Sequence, residues 1–370
     1  MTLTDAFSDL EDFRAENHRY PLPHLAFIAV CMVLCGADDW KMVSQLGKRK
    51  LGWLKKYIPL PHGIPSHHTF IRVFAVLDPE QFRECFIKWM SSVVERTHGE
   101  VVAIDGKSLR RSYDKGDDKA AIHMVSAWAS ETGVVLGQLK TAAKSNEITA
   151  IPALLDVLEI RGCIVTTDAM GCQKTIAKKI RSKGADYLLA LKGNQGTLHE
   201  DIKLYLDNLS CQDKCSGFTD YHETLDKGHG RIEVRKCWVS TDINWLEQCN
   251  DWKDLSMIGV VESERHYGGN VSIERRYFIT SRVSDAATFM KAVRSHWSVE
   301  NNLHWQLDIS FREDECRIRK GYGAENMAVF RQIALSLLAQ EKTEKLGMKN
   351  KRITAAADND YLELLLKVAI

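Results

Sequence analysis

Residues 99–111 read GEVVAIDGKSLRR. Val101, Val102, Ala103 and Ile104 form an unbroken apolar run, which predicts a strand buried on both faces, and Gly106 is expected to end it. Asp105 therefore stands where a core strand surfaces. An ionised carboxylate there is costly unless something pairs with it, and a divalent cation is one efficient partner. A carboxylate that merely closes the turn is the plainer alternative.

The pattern occurs twice. Residues 163–168, CIVTTD, again form a β-branched strand that delivers one acid, Asp168, at its carboxyl end, followed by AMGCQ and a helical pattern. The carboxyl ends of strands are the edge of an open α/β sheet where ligands bind. Two such aspartates converging on one site make metal-dependent phosphoryl transfer the sharper reading. A third acid comes from far downstream. From Ser284, read as an N-cap with Asp285 in the first turn, a helical pattern runs through Leu307. At 3.6 residues per turn Phe289, Val293, Trp297, Glu300, His304 and Leu307 share one stripe, so Glu300 is expected amid an apolar face. A metal ligand needs that placement, and a partnership with Arg294 or His296 at a packed interface is the alternative.

Four ordered segments, AIDGKSLR (103–110), TTDAMGCQ (166–173), LKGNQG (191–196) and HWSVENNLHWQLD (296–308), closely resemble the transposases of bacterial insertion sequences of the H-repeat-associated type. These are members of the DDE superfamily with an RNase H-like catalytic domain. The resemblance covers nearly the whole chain. It implies that Asp105, Asp168 and Glu300 are a metal-binding triad, Asp105 bridging two Mg²⁺ ions and each of the others holding one, with Mn²⁺ able to substitute. It also implies water attack at element ends in double-stranded DNA, then transfer of the freed 3′-hydroxyl into target DNA. The two ions, about 3.5–4 Å apart, would activate the nucleophile and steady the leaving oxygen. A homodimer on DNA and a cytoplasmic, nucleoid-associated location in a bacterium belong to the same expectation.

The match has departures. Some relatives with a β-insertion carry Tyr, Arg and Lys at seven before, four before and seven after the glutamate, where this chain has Val293, His296 and Leu307. Their DNA-holding role does not transfer, and Arg294, Trp297, Asn301 and His304 are positional substitutes only. Asp308 lies near enough to compete for the role of third acid.

Composition sets the outer limits. The 370 residues carry 27% charged and 45% hydrophobic side chains, ordinary values for one large or two to three small domains. A formal net charge of +1 means that any DNA surface is local. Ten cysteines include no CxxC pair, and Cys211/Cys215 lack matching partners, which argues against zinc and suits a reducing cytoplasm. The N-terminus MTLTDAFSDLEDF is acidic rather than signal-like. The longest apolar stretch, Leu25–Ala37, is too short to span a bilayer and reads as a core helix.

The expected architecture is α/β: an RNase H-like mixed five-stranded sheet flanked by helices, with a β-rich insertion and an N-terminal helical domain. Residues 1–95 read as a helical accessory domain, which the resemblance assigns to binding element ends. Within it 48–56, KRKLGWLKK, has five cations and Trp53, suited to a phosphate backbone with an aromatic contact or to a solvated helix face. SHHTFIRVFAVL and EQFRECFIKWM read as two short helices, a candidate helix-turn-helix. Residues 96–209 begin the catalytic core: the Asp105 strand, a charged loop, a hairpin 122–129/134–140, a helix near 152–160, the Asp168 strand, a helix 173–183 stopped by Gly184, and a strand 187–191. A loop 192–196 follows, with Lys192 a candidate phosphate contact and Thr197/Glu200 a capping box.

Residues 210–283 alternate as strands do at 231–239, 255–262 and 272–280, hence the β-rich insertion. Lys227, His229, Arg231, Arg235 and Lys236 cluster near its start as candidate DNA contacts. Residues 284–340 complete the core around Glu300, and 341–370 form a basic tail with four cations at 345–352. Lys107, Arg317, Arg319 and Lys320 are further candidates for phosphate. A nucleotide-binding loop fails, since Gly106-Lys107-Ser108 has Val101 where a glycine is required. An aspartyl-phosphate phosphatase fails too, because Lys107 stands where its second acid belongs. A metal-dependent nuclease that cuts without joining, and a non-catalytic DNA-binding descendant of a transposase, remain as alternatives.

Overall fold

A computed structural model describes residues 3–14, 18–93, 99–113, 121–141, 147–211, 220–228 and 230–366. Cys215, His229 and most of the charged loop after Arg110 lie outside the described residues. The chain opens with helices α1 (Leu3–Ala6), α2 (Leu22–Leu34), α3 (Trp40–Arg49), α4 (Leu51–Leu54), α5 (His67–Val76) and α6 (Pro79–Val93). Then come β1 (Val101–Leu109), β2 (Ile122–Ala129), β3 (Val134–Lys140), α7 (Glu147–Val157), β4 (Ile164–Thr167), α8 (Lys174–Ser182), β5 (Asp186–Leu191) and α9 (Thr197–Cys211). Four strands follow, β6 (Asp220–Gly228), β7 (Arg231–Ser240), β8 (Met257–Tyr267) and β9 (Asn270–Thr280). The last helices are α10 (Ala286–His296), α11 (Trp305–Ile309), α12 (Gly323–Gln340), α13 (Met348–Ala357) and α14 (Asn359–Leu366).

These elements form two compact units. One comprises Met1–Arg96, Gly106–Ser145 and Glu300–Ile370; the other comprises Thr97–Asp105 and Asn146–Val299. Strand β1 is shared, and it does not stop at Gly106 as its sequence suggests. The chain stays extended because Leu109 has its own apolar partners, Ile122 and Met124 on β2 with Ala324 and Ala328 on α12.

The first unit is built on α12, whose residues 323–338 are all buried. A helix with no solvated face must satisfy its polar side chains inside. Glu325 takes Lys140 at 2.8 Å, Gln332 donates to Gln138 at 2.6 Å, and Ser336 accepts from the Val135 amide at 3.1 Å, so α12 is tied to β3. On another side Phe330 meets Phe74 and Phe82 at ring distances of 5.0 and 4.8 Å, and Trp40 stacks on Phe74 at 4.9 Å. The helix α2 is buried almost throughout, as its apolar run predicts. Strands β2 and β3 form the expected hairpin, turning at Gly133 with φ +72°, and the strand order is β3-β2-β1.

Trp53 does not stand free for a nucleic acid. Trp53 is buried, and its indole N–H donates to Glu363 on α14 at 2.9 Å, with Lys56 3.3 Å from the same carboxylate. Lys50 donates to Asn359 at 2.7 Å. The aromatic of KRKLGWLKK is thus a packing residue, and part of its charge is used within the protein.

In the second unit the strand order is β1-β4-β5-β9-β8-β7-β6. β1, β4 and β5 are parallel, and α8 makes the crossover between β4 and β5, burying Ile176, Ala177 and Ile180. The strands read as an insertion continue this sheet, since β9 pairs antiparallel with β5 from Leu188↔Thr280 to Leu191↔Tyr277. β6 was not expected. Helix α10 lays Phe289, Met290 and Val293 on β7–β9, and Gly259 makes room: a Cβ there would lie 2.6 Å from the Phe289 ring.

Candidate functional site

The register of two strands sets the site. Val101–Ile104 pair in parallel with Ile164–Thr167, Ile104 opposite Thr167, so Asp105 and Asp168 are the next residues on neighbouring strands. Adjacent strands lie about 4.8 Å apart, so the two aspartates occupy neighbouring positions, Asp105 within β1 and Asp168 just past the end of β4. Both are half-buried.

Asp168 is held by its own turn. Its Oδ1 accepts from the amides of Met170 at 2.9 Å and Gly171 at 3.2 Å. Gly171 has no room for a side chain, since a Cβ would fall 2.6 Å from the Cβ of Thr167. The loop 192–196 braces the same turn: Asn194 donates to the Ala169 carbonyl at 2.8 Å and Gln195 to the Cys172 carbonyl at 2.6 Å. Sequence reasoning assigned that loop to phosphate through Lys192, which is exposed, and missed the two amides. Side-chain amides next to glycines were the available signal. The capping box is not formed, because Thr197 lies within α9 and its hydroxyl accepts from Gln248.

His296 closes the other side of β4. Its Nδ1 lies 2.9 Å from the Thr166 hydroxyl, two residues before Asp168. Burial pulls its pKa from 6.5 down to about 4; Asp168 opposes this shift and Arg276 adds to it, so the imidazole is neutral at pH 7. The unfolded chain takes up this proton at higher pH than the folded one. Stability from this residue is therefore full above pH 6.5 and is lost as pH falls through about 4. The wild-type unfolding free energy should fall over that window, and His296→Gln should flatten the fall by on the order of 3 kcal/mol, as urea unfolding at each pH measures. Identical pH profiles for the two proteins would refute the assignment.

The third acid departs from expectation. Asp285, not Ser284, caps α10, accepting from the Thr288 amide at 2.6 Å. The helix ends at His296, and residues Val299–His304 form a π-helix before α11 begins. The wider turn shifts the register, so Val299, Leu303 and Leu307 are buried while Glu300 is exposed, and Trp297, the C-cap of α10, is exposed too. Glu300 is therefore not amid an apolar stripe, and it begins the Glu300–Ile370 part of the first unit.

Other candidates separate by their partners. Lys107 is enclosed between Asp308 at 2.5 Å and Glu313 at 2.7 Å, so it is taken up inside the first unit rather than offered to DNA. The same contact gives Asp308 a structural partner. Arg294 is 3.4 Å from Asp226, Arg231 is exposed 3.9 Å from Glu233, and Trp297 carries the Arg276 guanidinium 4.6 Å from its ring centre. His304 is half-buried, Arg319 lies over Tyr113 at 5.1 Å, and Lys320 is exposed.

Carboxylate oxygens are hard donors that suit Mg²⁺ or Mn²⁺. Among the described residues no three His, Cys, Asp or Glu side chains gather closely enough to hold one ion, and Asp105 and Asp168 match such an ion in donor chemistry alone. No helix among the described residues is long and apolar enough to cross a membrane.

Comparison with known proteins identifies the family. The family described as "Transposase DDE domain" matches residues 96–337, and the one described as "DDE_Tnp_1-associated" matches residues 4–90. The chain is 44% identical to "Putative transposase YncI" of Escherichia coli O157:H7, over 99% of this chain and 94% of that protein. It is 40% identical to "H repeat-associated putative transposase YhhI" of Escherichia coli K12, over 98% and 97%. A solved piggyBac transposase synaptic complex with hairpin DNA aligns over 99% of this chain and 77% of that one, at 12% identity and a TM-score of 0.45. The family match spans well over half of the chain, and it therefore belongs to the DDE transposases.

Proposed function

We infer that this chain cuts DNA at the ends of an insertion sequence with the help of divalent metal and joins the freed 3′-hydroxyl to target DNA. The observation that carries the reading is the register that sets Asp105 and Asp168 at neighbouring positions on parallel strands. Glu300 is proposed as the third ligand on its match to the family segment 296–308. Mg²⁺ held by these carboxylates would polarise the scissile phosphodiester and stabilise charge on the attacking and leaving oxygens.

The chain's own residues supply the positioning. The turn amides of Met170 and Gly171 fix Asp168, Asn194 and Gln195 brace that turn, and neutral His296 holds β4 through Thr166. Exposed Lys192, Arg231 and Arg294, with the Arg276–Trp297 stack, are proposed to contact the duplex. Synapsis of two ends by a homodimer belongs to the same reading, and light scattering of the DNA complex tests it.

The decisive experiment incubates the protein with a labelled element end, Mg²⁺ and a target plasmid. Joined product is the expected result. Cleavage without joining would make the protein a nuclease, and binding with neither would make it a non-catalytic DNA-binding descendant.

A further inference from the structure

The first unit contains a groove that the reaction above does not use. Its volume is about 730 Å³, and it runs between the start of α3, residues of α5 and the segment 312–321. Three acids line it, and each is occupied within the protein. Asp38 pairs with Arg352 at 3.0 Å, Asp39 caps α3 by accepting from the Met42 amide at 2.8 Å, and Glu315 pairs with Arg312. The lining is net positive, five cations (Lys41, Arg312, Arg317, Arg319 and Lys320) against three acids, and Lys41, Arg317 and Lys320 are exposed.

The basic segment is held in place by backbone geometry. Gly321 adopts φ +52° and packs so closely that a Cβ would lie 2.1 Å from the Ala75 carbonyl oxygen. The next amide, Tyr322, donates to that same carbonyl at 3.0 Å. Asn326 then donates to the carbonyls of Phe74 and Leu77 at 2.8 and 3.0 Å. Arg319 is oriented by its Nε donating to the Arg111 carbonyl at 3.1 Å and by its stack on Tyr113. A glycine-dependent seat fixes the backbone of the segment, and the stacked guanidinium fixes the direction of Arg319. Surface lysines on a free loop would not need either.

We propose that this groove is a phosphate-binding channel for the backbone of duplex DNA, formed jointly by the N-terminal helices and the segment after the Glu300 region. The proposal rests on the DNA reading above. Two features favour a polyanion over a small anion. The groove is open and far larger than one phosphate, and its exposed cations, Lys41, Arg317 and Lys320, come from separate segments of the chain. Contacts of this kind position a duplex without reading its sequence.

The test measures binding of full-length protein to fluorescent duplexes, one an element end and one unrelated, across a KCl series. Arg317→Ala/Lys320→Ala removes two exposed cations, and Lys178→Ala/Lys203→Ala removes two exposed cations from α8 and α9 as a charge-matched control. Each lost phosphate contact lowers the slope of log K against log salt by roughly 0.9. The groove variant should therefore lose roughly two units of slope, equally on both duplexes, and the control almost none. An unchanged slope, or an equal loss in the control, would overturn the groove while leaving the DNA reading intact. Failure of the wild-type protein to bind either duplex would overturn the DNA reading itself.

Discussion

Asp105→Ala and Asp168→Ala are each expected to lower Mg²⁺-dependent cleavage of element-end DNA by at least roughly 10³-fold, about 4 kcal/mol of transition-state stabilisation. The aspartates stand one residue past the Ile104↔Thr167 pair on neighbouring parallel strands, so each would supply its own oxygens and neither can replace the other. DNA affinity should change by less than about twofold, because phosphate contacts by Lys and Arg supply it. Asp168→Asn separates charge from scaffold. An amide oxygen can still accept from the Met170 and Gly171 amides, so the turn survives while the hard anionic donor is lost. That variant should melt like wild type and still fail to cut. Cleavage within tenfold of wild type in any of these proteins would remove the residue from the site.

The two aspartates were legible because the signal is local: a β-branched run buried on both faces and then one acid. Their register was not, since nothing in either strand says which residue faces which. Glu300 illustrates a different limit. A stripe drawn at 3.6 residues per turn assumes one uninterrupted α-helix, and the π-helix Val299–His304 carries no composition that announces it. Trp53 misled for want of its partner, Glu363, which lies 310 residues away in sequence. β6 escaped because Asp220–Gly228 is the outer strand of its sheet and mostly solvated, so no apolar alternation marks it.

The other large effect concerns stability. Lys107→Met is expected to destabilise the protein by about 3–5 kcal/mol, because it breaks a buried charge balance by removing one partner. The Lys107 and Glu313 side chains are only 11% and 2% exposed, and Arg331, also 2% exposed, lies 3.8 Å from Glu313 on the far side. Two cations thus face two acids, Asp308 and Glu313. For Lys107, burial opposes the charged form, but Glu313 and Asp308 together outweigh it and hold the pKa above its ordinary value. For Asp308, burial pushes the pKa up against the pull of Lys107. Removing the lysine leaves that push unopposed, so the folded variant should bind a proton that the unfolded chain releases. Its deficit should therefore be largest at neutral pH and shrink as pH falls toward the ordinary carboxyl range. Lys107→Met/Asp308→Asn restores one cation to one acid, Arg331 with Glu313, and should recover more than half of the loss. Urea unfolding of both variants at neutral and mildly acidic pH checks this. A single variant within 1 kcal/mol of wild type, or a double variant no better than the single, would mean that the four groups do not act as one balanced set.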